Sequence, residues 1–125
     1  MLKLYHYSNK DFKGYIKPSF FGANNYTNNS ARLSGVNRSF FYITKGKEHF
    51  FEGVKFCYIA EIEKHKIYDI IKDPKKLIKF SLEKGLQNDI FSICKNLGYA
   101  GVKGNNGFDV VCLFKPIKYI DKRVI

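Results

Sequence analysis

The stretch Phe20 to Phe41, FFGANNYTNNSARLSGVNRSFF, has the residue types of a binding wall rather than of a core. Four asparagines lie between Asn24 and Asn29, with Tyr26 and Thr27 among them. Side-chain amides at that density hydrogen-bond their own backbone in preference to extending a helix or a sheet, which predicts an ordered polar loop. Arg32 and Arg38 follow within seven residues of one another, and the chain's only other arginine is Arg123, although Lys and Arg together number 22. A planar guanidinium makes the paired hydrogen bonds to a phosphate or carboxylate that an ammonium does not, so these two are candidate anion clamps. The plain alternative is two surface cations. A second cationic candidate is Lys72, Lys75, Lys76 and Lys79, whose spacings of three, four and seven bring them to one face of a helix, where an acidic partner could lie.

Length and composition bound what these groups can belong to. The chain of 125 residues and 14.5 kDa is enough for one domain, 1–125, with a core of its own. A hydrophobic content of 45% excludes a disordered chain. No apolar run approaches the roughly 20 residues that span a bilayer, and the start, MLKLYHYS, lacks the apolar core of a secretory leader. The expectation is therefore a cytoplasmic protein with no membrane role. Cys57, Cys94 and Cys112 are odd in number, widely spaced and set in apolar runs, so they read as small buried hydrophobes and not as a disulfide framework or metal site. The net charge of +11 is compatible with a nucleic acid or acidic protein as partner. A chain also rich in Asn, Ile, Phe and Tyr has the composition an AT-rich genome produces, which accounts for part of that charge.

The elements that must position these residues follow from periodicity. Leu2, Leu4 and His6 alternate with Lys3, Tyr5 and Tyr7, the pattern of a strand. Asn28 to Gly35 has room for a short helix, and Ser39 to Thr44 is aromatic and β-prone. Val54 to Glu63 alternates as a long strand, with Glu61 and Glu63 at its far end. Asp73-Pro74 has the form of an N-cap followed by a proline at the first helical position, and Gly85 is its stop. Ile90, Ile93, Cys94 and Leu97 are spaced as the core side of a second helix ended by Gly98. Tyr99 to Val102 is a short buried strand, Lys103 to Gly107 a hairpin turn, and Phe108 to Phe114 is apolar on both faces as a central strand is. Pro116 confines the remainder to an edge or terminal segment. Strands at both ends with helices late in the middle make an α+β domain.

With those elements in order, the chain resembles the ADP-ribosyltransferase-like proteins of the diphtheria-toxin and poly-ADP-ribose polymerase branch, which includes phage-encoded members. Four segments carry the resemblance: Leu4-Tyr5-His6-Tyr7-Ser8, Phe21-Gly22-Ala23-Asn24-Asn25-Tyr26, the strand Phe56 to Glu63, and Leu97 to Val102 followed by Phe108 to Pro116. The resemblance implies a split, mostly antiparallel sheet with two or three helices, gripping NAD as substrate. His6 would bond a ribose hydroxyl, Ser8 would help hold the nicotinamide side, and Tyr7, Gly22 and Asn24 would be among the other NAD-binding residues. Tyr26 would stack on the nicotinamide ring, and Arg32 or Arg38 would pair with the pyrophosphate. Asp109, or failing it Glu61 or Glu63, would be the carboxylate, with His6 as the other catalytic group. The implied activity is transfer of ADP-ribose to a protein or nucleic acid. A basic binding or inhibitor module of the same fold, without turnover, is the other reading.

Overall fold

The computed structural model describes residues 1–18, 37–47, 53–79, 90–104 and 109–125. Strand β1 (Leu2–Ser8) lies near the middle of the sheet and pairs along its whole length with β4 (Phe56–Ile62), antiparallel from Leu2 opposite Ile62 to Ser8 opposite Phe56. On its other side is β3 (Ser39–Tyr42), with Tyr5 opposite Tyr42. Beyond β3 come β7 (Val110–Leu113), antiparallel to β3, and β6 (Gly101–Lys103), antiparallel to β7, and then β5 (Ile67–Asp69), parallel to β6. Strand β9 (Asp121–Val124) closes the opposite edge against β4, giving the order β5-β6-β7-β3-β1-β4-β9. A two-stranded sheet joins β2 (Tyr15–Ile16) to β8 (Ile117–Lys118). Among the described residues the domain is therefore α+β, dominated by strands, and no described helix is long and apolar enough to cross a membrane.

Alternation along β1 supplies two faces with different neighbours. Leu4 packs with Phe41, Tyr58, Val111 and Leu113 on one face, covered by Ile16 and by the partly buried Phe12, Ile117 and Tyr119. On the other face helix α1 (Ile90–Asn96) presents Ile90, Phe91 and Cys94 to Val102, Val110, Cys112 and Phe114. Large apolar side chains buried this completely contribute about 1.5–3 kcal/mol each, which makes these two layers the main stabilising feature. The rest of that second face, over β1 and β4, carries a separate small group made of Tyr5, Cys57 and Ile59 with Tyr7 beside it. All three cysteines are buried and none is in a disulfide, as their apolar surroundings imply.

Gly101 is where the sheet requires the smallest residue. A Cβ there would lie 2.1 Å from the Cys112 carbonyl oxygen, so β6 and β7 reach their spacing only because none is present.

The helix expected to start at Asp73 starts later. Asp73 has φ +45° and Lys76 φ +55°, so this segment is a turn, and helical residues begin at Leu77. Asp73 still caps that helix, from outside it: its carboxylate accepts the Ile78 N–H at 3.1 Å and the Lys79 N–H at 3.3 Å, and also accepts a hydrogen bond from the Tyr68 hydroxyl. The proline signal marked a tight turn whose acid reaches forward to the first free N–H groups. Lys72, Lys75 and Lys76 consequently sit in that turn and not on a helix face with Lys79, and the Lys75 ammonium lies 5.2 Å from the Tyr99 ring centroid. The proposed helix of 28–35, the stop at Gly85 and most of the hairpin turn lie outside the described residues.

Candidate functional site

His6 occupies the last part of β1, on the face shared with Leu4. Its ring is enclosed by Phe41 (centroids 5.1 Å apart), Phe12 (5.8 Å) and Tyr58 (6.3 Å). Its Nδ1 lies 2.6 Å from the Phe40 carbonyl oxygen on the neighbouring strand. A carbonyl only accepts, so Nδ1 is the protonated nitrogen, and Nε2 of the neutral ring is an acceptor. Burial pushes the His6 pKa below its ordinary value, against a smaller upward effect of the Phe40 bond, which keeps the ring neutral at pH 7.

The cover over His6 is built by two tyrosines whose positions the periodicity did not distinguish from core. Tyr58 Oη donates to the Lys10 carbonyl at 2.6 Å and accepts the Phe12 N–H at 2.8 Å. Tyr119 Oη donates to the Phe12 carbonyl at 3.0 Å and accepts the Gly14 N–H at 3.1 Å. Residues 10–14 are thus clipped across the sheet by two hydroxyls that each use both donor and acceptor capacity. Lys122 extends the cluster: its ammonium is 4.5 Å from the Phe56 ring centroid and pairs with Asp11, whose carboxyl is held below the usual range chiefly by that bond. Ser8 closes β1 by accepting the Lys10 N–H at 3.0 Å.

Asp109 stands one residue before β7. Its carboxylate accepts the Thr44 hydroxyl at 3.1 Å and pairs with Lys47 at 3.0 Å, and the Lys47 bond is the main reason that its pKa falls below the usual carboxylate range. Lys47 in turn lies 5.7 Å from the Tyr42 ring centroid, and its N–H donates to Tyr7 Oη at 3.4 Å. The Ile43 N–H bonds the Asp109 carbonyl at 2.9 Å, two residues along β3 from Phe41. Two strand spacings across and two residues along put the backbones of His6 and Asp109 roughly 12 Å apart. An extended dinucleotide covers that span.

Arg38 is in a third place. It is only 1% exposed, and its guanidinium carbon lies 3.6 Å from the Phe91 ring centroid, under α1 and on the face opposite His6. Burial lowers its pKa from a very high starting value, and it remains a cation at pH 7. Glu61 lies opposite Lys3 at the far end of β4, and Glu63 pairs with His65 at 3.2 Å, both away from the His6 end of β1. Gly22, Asn24, Tyr26 and Arg32 lie outside the described residues. The structure thus brings Tyr7 and Asp109 together through Lys47, but puts His6 and Arg38 on different faces.

No protein-family model matches this chain. Neither the curated proteins nor the solved structures give a match.

The open part of the second face forms a concavity of about 220 Å³ lined by Tyr5, Tyr7, Lys45, Cys57, Ile59, Arg123, Val124 and Ile125. Tyr7 is common to this concavity and to the Lys47–Asp109 group, and its ring meets Tyr42 at 6.2 Å between centroids. The sequence signals for the concavity are the odd positions of β1 and β4, Tyr5, Tyr7, Cys57 and Ile59, which alternation assigns to one face. Its cations arrive from Lys45 and from Arg123 on β9, and only the sheet order discloses them.

Proposed function

We propose that this domain, as a member of the ADP-ribosyltransferase-like group, binds NAD and transfers its ADP-ribose to a macromolecular acceptor. The observation that carries the reading is the neutral His6 with Nε2 as acceptor, on a backbone roughly 12 Å by strand spacing from that of an ionised Asp109. A ribose hydroxyl needs an acceptor of that kind, and a dinucleotide has a ribose at each end. In this mechanism the bond between the ribose carbon and nicotinamide breaks with its electron pair leaving on nicotinamide. The Asp109 carboxylate stabilises the positive charge that develops on the ribose, and the acceptor nucleophile attacks the same carbon while losing a proton. For Asp109 to act, Lys47 must exchange its partner, and a pyrophosphate is the kind of anion that would draw it away.

One observation favours a second reading, a basic binding module without turnover: the nominated carboxylate is ion-paired with Lys47. Incubation with NAD carrying a labelled adenylate, with protein and nucleic-acid acceptors, separates the two. Transfer or nicotinamide release that falls at least tenfold in both His6→Ala and Asp109→Asn supports the transferase. Equal labelling by all three proteins removes these residues from the reaction, and no nicotinamide release with salt-sensitive binding of an acidic partner leaves the binding module.

A further inference from the structure

We propose that the concavity over β1, β4 and β9 is a binding site for single-stranded nucleic acid, taking one unpaired base against the tyrosines and the flanking phosphates on Lys45 and Arg123. This goes beyond the NAD reading, because the site is on the face opposite His6 and its test uses no NAD. Three features of the lining converge on that ligand. The floor is Tyr5, Cys57 and Ile59, all buried, and the half-buried Tyr7 ring beside it supplies the aromatic surface that a planar ring can meet. Among the described residues the charged side chains of the lining are Lys45 and Arg123, both cations. Arg123 gives its Nε–H to Asp121 at 3.2 Å, and a guanidinium has five N–H donors, so that bond spends one of them. The Arg123 side chain is 63% exposed, which lets a phosphate reach it.

Access to the base face decides between forms of nucleic acid. A concavity of about 220 Å³ beside the Tyr7 ring offers a place for one unstacked ring system. Bases in a duplex are stacked and paired, so only a single strand or a splayed nucleotide can enter. An acidic peptide would satisfy the two cations and leave the tyrosine floor without a ring to meet. The net charge of +11 adds the long-range attraction that any nucleic acid feels, and the concavity supplies the contact that distinguishes one strand from two.

The test is fluorescence anisotropy of the full chain with labelled 12-nucleotide oligothymidylate and oligouridylate, the matching duplex, and a labelled polyglutamate peptide, across a salt series. The expected result is tighter binding of the single strands than of the duplex or the peptide. The slope of log affinity against log salt should be shallower by about 0.7 for each of Lys45→Ala and Arg123→Ala. Tyr7→Leu should weaken binding roughly 5- to 100-fold with the slope unchanged, the range set by one base stacking on one aromatic ring. Photocrosslinking of the unaltered protein with 4-thiothymidine oligonucleotides keeps the test independent of how the variants fold: adducts should map to Tyr5, Tyr7 or Cys57. Equal or tighter binding of duplex or peptide, unchanged slopes in both cation variants, adducts confined to other surfaces, or no binding of single strands each overturns the proposal. Loss of NAD turnover in the same preparations would bear on the transferase reading alone.

Discussion

Replacing Tyr58 by Phe removes one oxygen and leaves the ring stack over His6 in place. In the native chain that oxygen donates to the Lys10 carbonyl and accepts the Phe12 N–H, at 2.6 and 2.8 Å. Two hydrogen bonds at about 0.5–1.5 kcal/mol each, with a partly buried N–H left unpaired, give a loss of about 2 kcal/mol. For a domain of this size that corresponds to a fall in Tm of roughly 6–10 °C. Tyr119→Phe should cost somewhat less, since its bonds are 3.0 and 3.1 Å. Both hydroxyls hold residues 10–14, so the double variant should lose about 1 kcal/mol less than the sum of the two singles: once one clip is open, the other holds a segment already loosened. Urea unfolding of the four proteins gives the cycle, and amide hydrogen exchange supplies the local readout. The Phe12 amide should be protected in the wild type and become fast in Tyr58→Phe, and the Gly14 amide should respond to Tyr119→Phe. A loss below about 0.5 kcal/mol in Tyr58→Phe, strict additivity, or an unprotected Phe12 amide in the wild type would refute the clip as described.

His6 gives a pH signature. Its folded pKa is depressed by burial, so between that value and about 6.5 the unfolded chain binds the extra proton, and stability falls as pH drops, by up to about 1.4 kcal/mol per unit. His6→Gln should abolish that slope in unfolding measured between pH 7 and 5. Lys47→Met should raise the Asp109 pKa and cost about 0.5–1 kcal/mol at pH 7. Because the folded Asp109 pKa is depressed, that difference is fully present above the unfolded value and is lost as pH falls through the folded one; denaturation followed stepwise downward from pH 7 checks it. Gly101→Ala should destabilise by at least about 3 kcal/mol, since the Cβ meets a backbone oxygen that cannot swing aside, and thermal unfolding or loss of soluble protein would report it. Cys94 and Cys112, their thiols pushed by burial up to about 11 and about 12, should resist thiol reagents in the native state and react on unfolding.

The strands were legible wherever one face is buried and the alternation uninterrupted. Leu2 to Tyr7 and Val54 to Glu63 became β1 and β4 with ends shifted by a residue or two, and the doubly apolar run before Phe114 became β7, buried on both faces. Asp73-Pro74 misled because an acid followed by proline serves a turn as well as a helix start. What separates the two is where the free N–H groups lie, which depends on Tyr68 and Asp73 meeting across the turn. The β5–β6 pair was out of reach for another reason: strand periodicity is the same in parallel and antiparallel pairs, and only the crossover through α1 makes these two run together.

The site residues show a sharper limit. Alternation says that His6 and Tyr7 point to opposite faces of β1, and that much is readable from six residues. Which groups meet each of them depends on the order of strands, and there the even face received Tyr58, Phe12 and Phe41 while the odd face received Tyr42 and Lys47, with Lys45 and Arg123 at the concavity. Arg38 illustrates the same point energetically. A guanidinium suited to clamp a phosphate is also the cation that best tolerates an aromatic core, because it is weakly hydrated and stacks flat, and in this chain it stacks on Phe91. The sequence offered Arg38 as an anion clamp or a surface cation, and the position of α1 over the sheet gives it neither place. A clamp for an anion on this sheet therefore has to be sought among the exposed cations at the edges, of which Arg123 and Lys45 share a cavity with aromatic rings.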